Sequence, residues 1–333
     1  MTIIVTGAAG FIGSHVARAL MARGQRVVGI DNLNHYYDPA LKQARLDLLV
    51  KNPLFTFIKL DISDHGSVTA LGETFRDTED IVHLAAQAGV RHSLTAPFTY
   101  TASNVTGHVA ILELCRQLPR LRHLVYASSS SVYGGNSKLP FAVEDRVDAP
   151  ASLYAATKRA GELMSYTYSH LYRIPTSGLR FFTVYGPWGR PDMAAYLFTQ
   201  AILAGRPIRV FNNGDMRRDF TYIDDIVRGV LGVLDNPPPN VSREVPARIF
   251  NIGNNRAEPL LRFISVLEAA IGRKAELVFE PMQLGDVKET FADIDAIRRL
   301  CGFEPRVSID DGLPQFVSWF RSYHGAEAAT FAA

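Results

Sequence analysis

The chain has 333 residues, 47% of them hydrophobic and 20% charged, with a formal net charge of +2. That is enough for one large or two modest globular domains with a sizeable core, and a near-neutral chain without basic runs interleaved with aromatics argues against a nucleic-acid partner. The two cysteines, Cys115 and Cys301, stand far apart with no metal-ligand spacing, so neither a disulfide nor a metal is expected.

The N-terminus enters a strand at once, with no cationic leader and no run long enough to cross a bilayer, so a soluble cytoplasmic protein with no membrane partner is expected. Ile3-Ile4-Val5 runs into Gly7-Ala8-Ala9-Gly10-Phe11-Ile12-Gly13, and a helix follows with Ile12, Val16, Ala19 and Leu20 on one face and Gly24 beyond its end. Val27 to Ile30 is the next strand, closed by Asp31. In such a strand–glycine turn–helix–strand–acid unit the glycines let the backbone approach a pyrophosphate at a helix N-terminus. The acid, roughly 20 residues further on, accepts the adenosine ribose hydroxyls. A carboxylate there repels a 2′-phosphate and the next arginine is only Arg45, so NAD is favoured over NADP.

Phe55 to Leu60 ends at Asp61-Ile62, Ile81 to Leu84 at Ala85-Ala86, and Leu124 to Ala127 at Ser128-Ser129-Ser130-Ser131. These short apolar runs read as parallel strands buried on both faces, with ligands bound beyond their carboxyl ends. Asp61 reads either as a helix N-cap or as an adenine contact. Asn104 is either solvated or reaches back to the site, and His83 reads as a satisfied core histidine. Tyr154-Ala155-Ala156-Thr157-Lys158 then opens a helix with a phenol and an ammonium four residues apart on one face. An ordinary phenol is ionised in about one molecule in a thousand at pH 7. A lysine beside it and a positively charged cofactor would favour the phenolate, which suits Tyr154 to take and return a proton.

Thr176 to Phe182 predicts another strand, leading into a Gly/Pro-dense loop from Thr183 to Pro191 that is too apolar for a plain linker. Pro207 to Phe211 predicts a strand, and Arg217-Arg218-Asp219 precedes a helix beginning near Asp224. Ile249 to Gly253 reads as a strand and Leu260 to Ile271 as an amphipathic helix. The expected fold is α/β: a Rossmann-type doubly wound parallel sheet with a smaller mixed α/β substrate-binding domain. Residues 1–178 are expected to form the NAD domain, with segments near 219–253 returning to it, and 179–333 mainly the nucleotide-sugar domain.

These motifs, in this order, resemble the extended short-chain dehydrogenase/reductase superfamily, in its NAD-dependent epimerase/dehydratase branch, over nearly the whole chain. They are Gly7-x-x-Gly10-x-x-Gly13, Asp61, Asn104, the serine run ending in Val132-Tyr133-Gly134, Tyr154-x-x-x-Lys158 and Arg218-Asp219-Phe220. Within the branch, Arg180 to Ala194, Asp31-Asn32-Leu33-Asn34 and Gln87-Ala88-Gly89-Val90-Arg91 look like the UDP-glucuronate 4-epimerases. The resemblance implies an NAD site built from Gly7, Gly10, Phe11, Ile12, Gly13, Asp31, Asn32, Asn34, Asp61, Ile62, Leu84, Ala85, Ala86, Asn104, Ser128 and Phe181, with Tyr154 and Lys158. It implies an isomerase in which Tyr154 exchanges the proton of the sugar 4-hydroxyl, Lys158 lowers the tyrosine pKa and Ser129 hydrogen-bonds the same hydroxyl. It further implies a UDP-sugar held by Arg91, Ser129, Ser130, Ser131, Thr183, Arg190, Val210, Phe211, Arg218, Gln283 and Asp286, and a homodimer formed through helices around Tyr100 to Leu118 and Tyr154 to Tyr172.

Related dehydratases carry Asp-Glu at the two positions before Val-Tyr-Gly, and related decarboxylases a Glu in the second. Here Ser130 and Ser131 stand there, so the positioned acid and base of an elimination are missing. Hydroxyls instead suit a uronate carboxylate, with Arg190 as a two-pronged donor beside Thr183. The expected activity is 4-epimerisation of UDP-glucuronate to UDP-galacturonate. The alternatives are a UDP-glucose or UDP-N-acetylglucosamine 4-epimerase, a UDP-glucuronate decarboxylase, and an NAD-binding sensor or scaffold without turnover. Near Gln283 the chain departs from many relatives, which carry an arginine there and a proline where Leu284 stands.

Overall fold

The computed structural model describes residues 1–241, 244–282 and 287–325. Strands and helices alternate at first: β1 (Thr2–Thr6), α1 (Phe11–Ala22), β2 (Arg26–Asp31), α2 (Pro39–Leu49), β3 (Phe55–Lys59), α3 (His65–Thr74) and β4 (Thr78–His83). α4 (Pro97–Thr101), a π-helical turn (Ala102–Thr106) and α5 (Gly107–Gln117) lead to β5 (His123–Ser129), α6 (Leu153–Tyr172) and β6 (Thr176–Phe181). Then come β7 (Thr183–Tyr185), α7 (Ala194–Leu203), β8 (Ile208–Val210), β9 (Arg217–Arg218), β10 (Phe220–Tyr222), α8 (Ile223–Leu234) and β11 (Ala247–Ile252). The chain continues through β12 (Glu258–Pro259), α9 (Leu260–Ile271), β13 (Leu277–Phe279), β14 (Glu289–Thr290), α10 (Asp295–Cys301) and α11 (Ile309–His324).

Seven strands form one parallel sheet in the order β3-β2-β1-β4-β5-β6-β11. In this doubly wound order the direction of winding reverses between β1 and β4, opening a crevice at the strands' carboxyl ends. β1 is buried from end to end and its alternate residues serve opposite layers. Ile3 and Val5 pack in one cluster with Val16, Leu20 and Val230 of α1 and α8. Ile4 packs in the other with Val68, Ile111 and Leu114 of α3 and α5. Two-sided burial is why these strands read as unbroken apolar runs.

The other strands are short: β7 pairs with β10, β8 with β13, and β9 lies between β12 and β14. Phe220 of β10 stacks on Phe263 of α9, ring centroids 4.0 Å apart. Asp219, buried between β9 and β10, accepts the amides of Asn254, Asn255 and Ala292 at 2.6, 3.1 and 3.1 Å. Those bonds tie the turn after β11 to the small sheets, although burial still pushes this carboxyl up to about 6.

Two sequence expectations change here. The cap of α3 is Asp64, which accepts the Ser67 amide, and not Asp61. Asp61 instead accepts the Ser63 amide at 2.9 Å and the Asn32 side chain at 2.8 Å. The serine run also divides: Ser128 and Ser129 complete β5, whereas Ser130 and Ser131 enter a 3-10 turn.

Arg45 on α2 is only 1% exposed. Its guanidinium donates to the carbonyls of Trp188, Gly189 and Ala9 at 2.6, 3.2 and 3.2 Å and to the Tyr37 hydroxyl at 2.7 Å. Trp188 has a φ of 65°, a left-handed conformation that is costly for a bulky residue and that Arg45 holds in place. Arg45→Met strands these buried carbonyls and is expected to cost about 3 kcal/mol, read as a lowered midpoint in urea denaturation. An unchanged midpoint would show that the loop holds its shape without the arginine.

Candidate active site

A cavity of about 1060 Å³ runs along the carboxyl edge of the sheet, from Gly7 and Asp31 at one end to Phe211 and Arg218 at the other. Gly7 has a φ of 70°, and a Cβ there would lie 2.8 Å from the Ala85 amide nitrogen, so the turn after β1 is packed directly on the segment after β4. A Cβ on Gly13 would lie 2.0 Å from the Gly7 carbonyl oxygen, so only glycine lets α1 start this close to the turn. Gly10 offers α1 no side-chain cap, and Phe11, Ile12 and Gly13 line the cavity, leaving the helix N-terminus to an anion.

Asp31 is 8% exposed, and its two oxygens accept the amides of Ala9 at 3.1 Å and Leu33 at 2.9 Å. Burial raises its carboxyl, with those amides and Lys42 pulling against it. A carboxylate has about four acceptor sites, so those left over fit a ribose diol. Asn32, Asn34, Ile62, Leu84, Ala85 and Ala86 line the same end. A dinucleotide therefore fits: glycine turn and helix N-terminus for the pyrophosphate, Asp31 for a ribose.

In the middle of the cavity α6 lies against the end of β5. Ser152 caps the helix through the Ala155 amide, which sets the phase that turns Tyr154 and Lys158 inward. Lys158 Nζ donates to the Ala127 carbonyl at 2.9 Å, and Ser129 Oγ accepts the Ser131 amide at 3.1 Å. The Tyr154 ring meets Tyr100 edge-on, centroids 6.1 Å apart. Burial pushes the Tyr154 phenol up, a hydrogen bond with Ser129 and the Arg190 guanidinium pull it down, and Asp192 pushes it up again. Lys158 holds its ammonium on the β5 carbonyl, and Arg190 is a further cation acting on the phenol. Burial also lowers the Lys158 ammonium to about 8, opposed by Glu162.

Ser128, Ser130, Ser131, Phe181, Thr183, Arg190, Arg91, Phe211 and Arg218 complete the expected residues that reach the wall. Arg91 and Arg209 place their guanidiniums over the Phe211 ring at 5.1 and 5.3 Å. Arg190 is paired with Asp192, its Nε donating at 3.0 Å, and Asp192 also accepts the Tyr36 hydroxyl at 3.0 Å. Two expected residues stand behind the wall, Asn104 and Val210, while Asp61 is exposed and reaches the cavity's edge through the Asn32 side chain. Asn104, displaced inward by the π-helical turn, brackets Gln87 through its amide at 2.8 Å and its carbonyl at 2.9 Å. Val210 is fully buried, and its neighbours Arg209 and Phe211 face the cavity in its place. Gln283 and Asp286 lie outside the described residues.

Sequence reasoning missed Tyr36, Asp192, Glu162 and Arg180. Tyr36 meets Asp192 across 156 residues and Glu162 meets Arg180 across 18, and the signals within reach were the Tyr154, Lys158, Glu162 spacing on one helix face and the nearby Arg190–Asp192 and Arg159–Glu162 pairs.

A helix N-terminus and a carboxylate at one end, and a buried phenol–ammonium pair halfway along, place the chain among Rossmann folds whose chemistry is carried by a bound dinucleotide. The chain belongs to the NAD dependent epimerase/dehydratase family, whose model matches residues 3–253. UDP-glucuronate 4-epimerase 1 of Arabidopsis thaliana is 47% identical over 335 residues, covering 98% of this chain and 78% of that relative. UDP-glucuronic acid 4-epimerase from Bacillus cereus, solved with UDP-glucuronic acid and NAD, superposes with a TM-score of 0.88 at 36% identity, covering 97% of this chain and 100% of that one. UDP-glucose 4-epimerase from Thermotoga maritima, solved with UDP-glucose, gives 0.86 at 29% identity, with 97% and 99% covered.

Lys158 offers a test of the site through stability. It is less basic folded than unfolded, so the wild type gains stability as the pH rises from about 8 toward the ordinary 10.5. Below that window the buried ammonium costs stability in full. Lys158→Met is therefore expected to raise the thermal midpoint at pH 7, by a margin that shrinks toward pH 10, while abolishing turnover. A lowered midpoint at pH 7 would contradict the burial cost.

Proposed function

We propose that the chain is an NAD-dependent UDP-sugar 4-epimerase whose substrate is UDP-glucuronate and whose product is UDP-galacturonate. The observation that carries the reading is the end of β5: Ser129 beside Tyr154, then Ser130 and Ser131 where an eliminating enzyme needs an acid and a base, all lining the cavity with Thr183 and Arg190. The ligands of the Bacillus cereus neighbour, UDP-glucuronic acid and NAD, are the pair assigned to this cavity.

NAD, when bound, supplies reversible hydride acceptance at sugar carbon 4, so no second substrate is consumed. Tyr154 takes the proton of the 4-hydroxyl, with Ser129 sharing that hydrogen bond. Lys158 adds positive charge at the nicotinamide end, bringing down a phenol that burial holds up. The sugar turns over as a 4-keto species so that its other face would take back the hydride held by NAD, and Tyr154 returns the proton to the 4-oxygen. A 4-keto uronate is a β-keto acid and prone to lose carbon dioxide. Hydroxyls and a guanidinium holding the carboxylate stabilise its charge and raise the barrier to that loss.

A second reading, a UDP-glucose 4-epimerase, is supported by the Thermotoga maritima neighbour, which shares the fold; in it the Arg190–Asp192 pair would stay intact beside a neutral sugar. We also propose residues 1–178, with 219–253 returning, as the cofactor domain and 179–333 as mainly the nucleotide-sugar domain. A homodimer would be seated on α6, where Leu163 and Tyr166 are 53% and 54% exposed one helical turn apart. Among the described residues no helix is long and apolar enough to cross a membrane, and the reduced Cys115 and Cys301 suit the cytoplasm.

Purified protein given UDP-glucuronate, UDP-glucose and UDP-N-acetylglucosamine separately is expected to turn over the first best, assayed by chromatography of the nucleotide sugars. Equal or better turnover of UDP-glucose would replace the uronate reading with the second one. Arg190→Ala is expected to lower kcat/KM about 100-fold or more on the uronate, with a much smaller loss on any neutral sugar accepted. Equal losses would remove Arg190 as a carboxylate clamp.

A further inference from the structure

On one face of α6 a third residue follows the pair already described: Tyr154, Lys158 and Glu162 are spaced four apart. They meet three successive residues of β5. Tyr154 bonds Ser129, Lys158 donates to the Ala127 carbonyl at 2.9 Å, and Ser128 Oγ donates to Glu162 Oε1 at 2.6 Å. The Glu162 side chain is 1% exposed, and nothing in the proposed chemistry requires a carboxylate there.

Arg180 of β6, directly opposite Ser128 in the sheet register, donates to Glu162 through Nε at 2.8 Å and Nη2 at 2.9 Å. Its remaining nitrogen donates to the Tyr133 hydroxyl at 3.0 Å, and Tyr133 in turn donates to Asn251 Oδ1 at 2.7 Å. Arg159 reaches the same carboxylate at 3.0 Å from the outer side and lies 3.8 Å from Asp148. A buried pair of this kind is weak evidence for stability, because two hydrophobic side chains of the same volume often serve as well. Its geometry says more: one ionised carboxylate ends the helix stripe, fastens the strand residue before Ser129, and lies one turn from the ammonium.

We propose that Glu162 is a positioning residue for the reaction, holding the tip of β5 in register with Tyr154 and providing the counter-charge that keeps Lys158 protonated. The other groups around Lys158 cannot take that second role. His83 of β4 and His108 of α5 both sense its charge and are held neutral by burial, His108 at about 3. The Tyr126 phenol of β5, which faces Glu162, is pushed far above its ordinary value and stays neutral. Arg180 and Arg159 are themselves cations, and both hold the Glu162 carboxyl below its ordinary range, so the negative charge persists.

The inference rests on the proposed 4-epimerisation, and the experiment separates the two. Wild-type protein that turns over no UDP-sugar removes the function before any variant is made. With an active wild type, kcat is followed against pH for Glu162→Gln and Glu162→Asp. Without the negative charge Lys158 loses its proton sooner, so the alkaline limb of Glu162→Gln is expected to move down by about one pH unit. The KM for the UDP-sugar should stay within about twofold. Glu162→Asp keeps the charge and shortens the reach to Ser128, so kcat should fall with the limb near its wild-type position. A residue with a merely structural role would lower the yield of folded enzyme and leave the limb where it was. If Glu162→Gln does not fold, Glu162→Gln with Arg180→Met removes the pair together and its limb is compared with that of Arg180→Met, so that only the carboxylate differs. An unmoved limb in either folded charge-removing variant overturns the proposal. So does failure of both to fold, which would make the pair structural.

Discussion

The site depends on one costly placement: an ammonium buried against a carbonyl at the tip of a central strand. Lys158 is 8% exposed, and burial, opposed by Glu162, lowers its basicity to about 8. The tip of β5 accommodates it because a strand's last carbonyls lack ladder partners, and Ala127 offers one at 2.9 Å. Parallel sheets leave such tips on one edge, where the helix after the strand begins its return. Hence the serines at one end of the 130–152 connection and the phenol and ammonium just beyond its other end meet at the same sheet edge.

The far side of the cavity is closed differently. The loop from Gly186 to Asp192 is irregular backbone with Trp188 at a φ of 65°, turned by the Gly189 amide donating to the Gly186 carbonyl at 3.0 Å. It is fastened from the cofactor side, by Arg45 of α2 at its carbonyls and by Tyr36 at Asp192. The segment covering the cofactor end is thus bonded to the loop carrying Arg190.

Much of this was legible in the sequence, and the part that was not has a common cause. Apolar runs, glycine spacing and the Tyr154–Lys158 interval are local, and each predicts an element or a face from neighbours within a few turns. The helix expected over Leu260 to Ile271 has those ends in the structure. Arg45 carries no such signal, because its partners at Trp188 and Gly189 are 143 and 144 residues away. Asn104 could not be resolved from spacing either, since its aim depends on a π-helical turn that periodicity does not announce.

The two faces of the sugar pocket then bear on the choice of substrate. Ser130 and Ser131 offer hydroxyls at the start of a 3-10 turn whose first amide is already taken by Ser129, so their side chains, not the backbone, define the wall. Hydroxyls can accept from a neutral sugar or donate to a carboxylate, and by themselves do not discriminate. Arg190 does, because it is paired with Asp192, and a neutral sugar gives no reason to part them. A uronate carboxylate must either share the guanidinium or displace Asp192 toward Tyr36, which already donates to it.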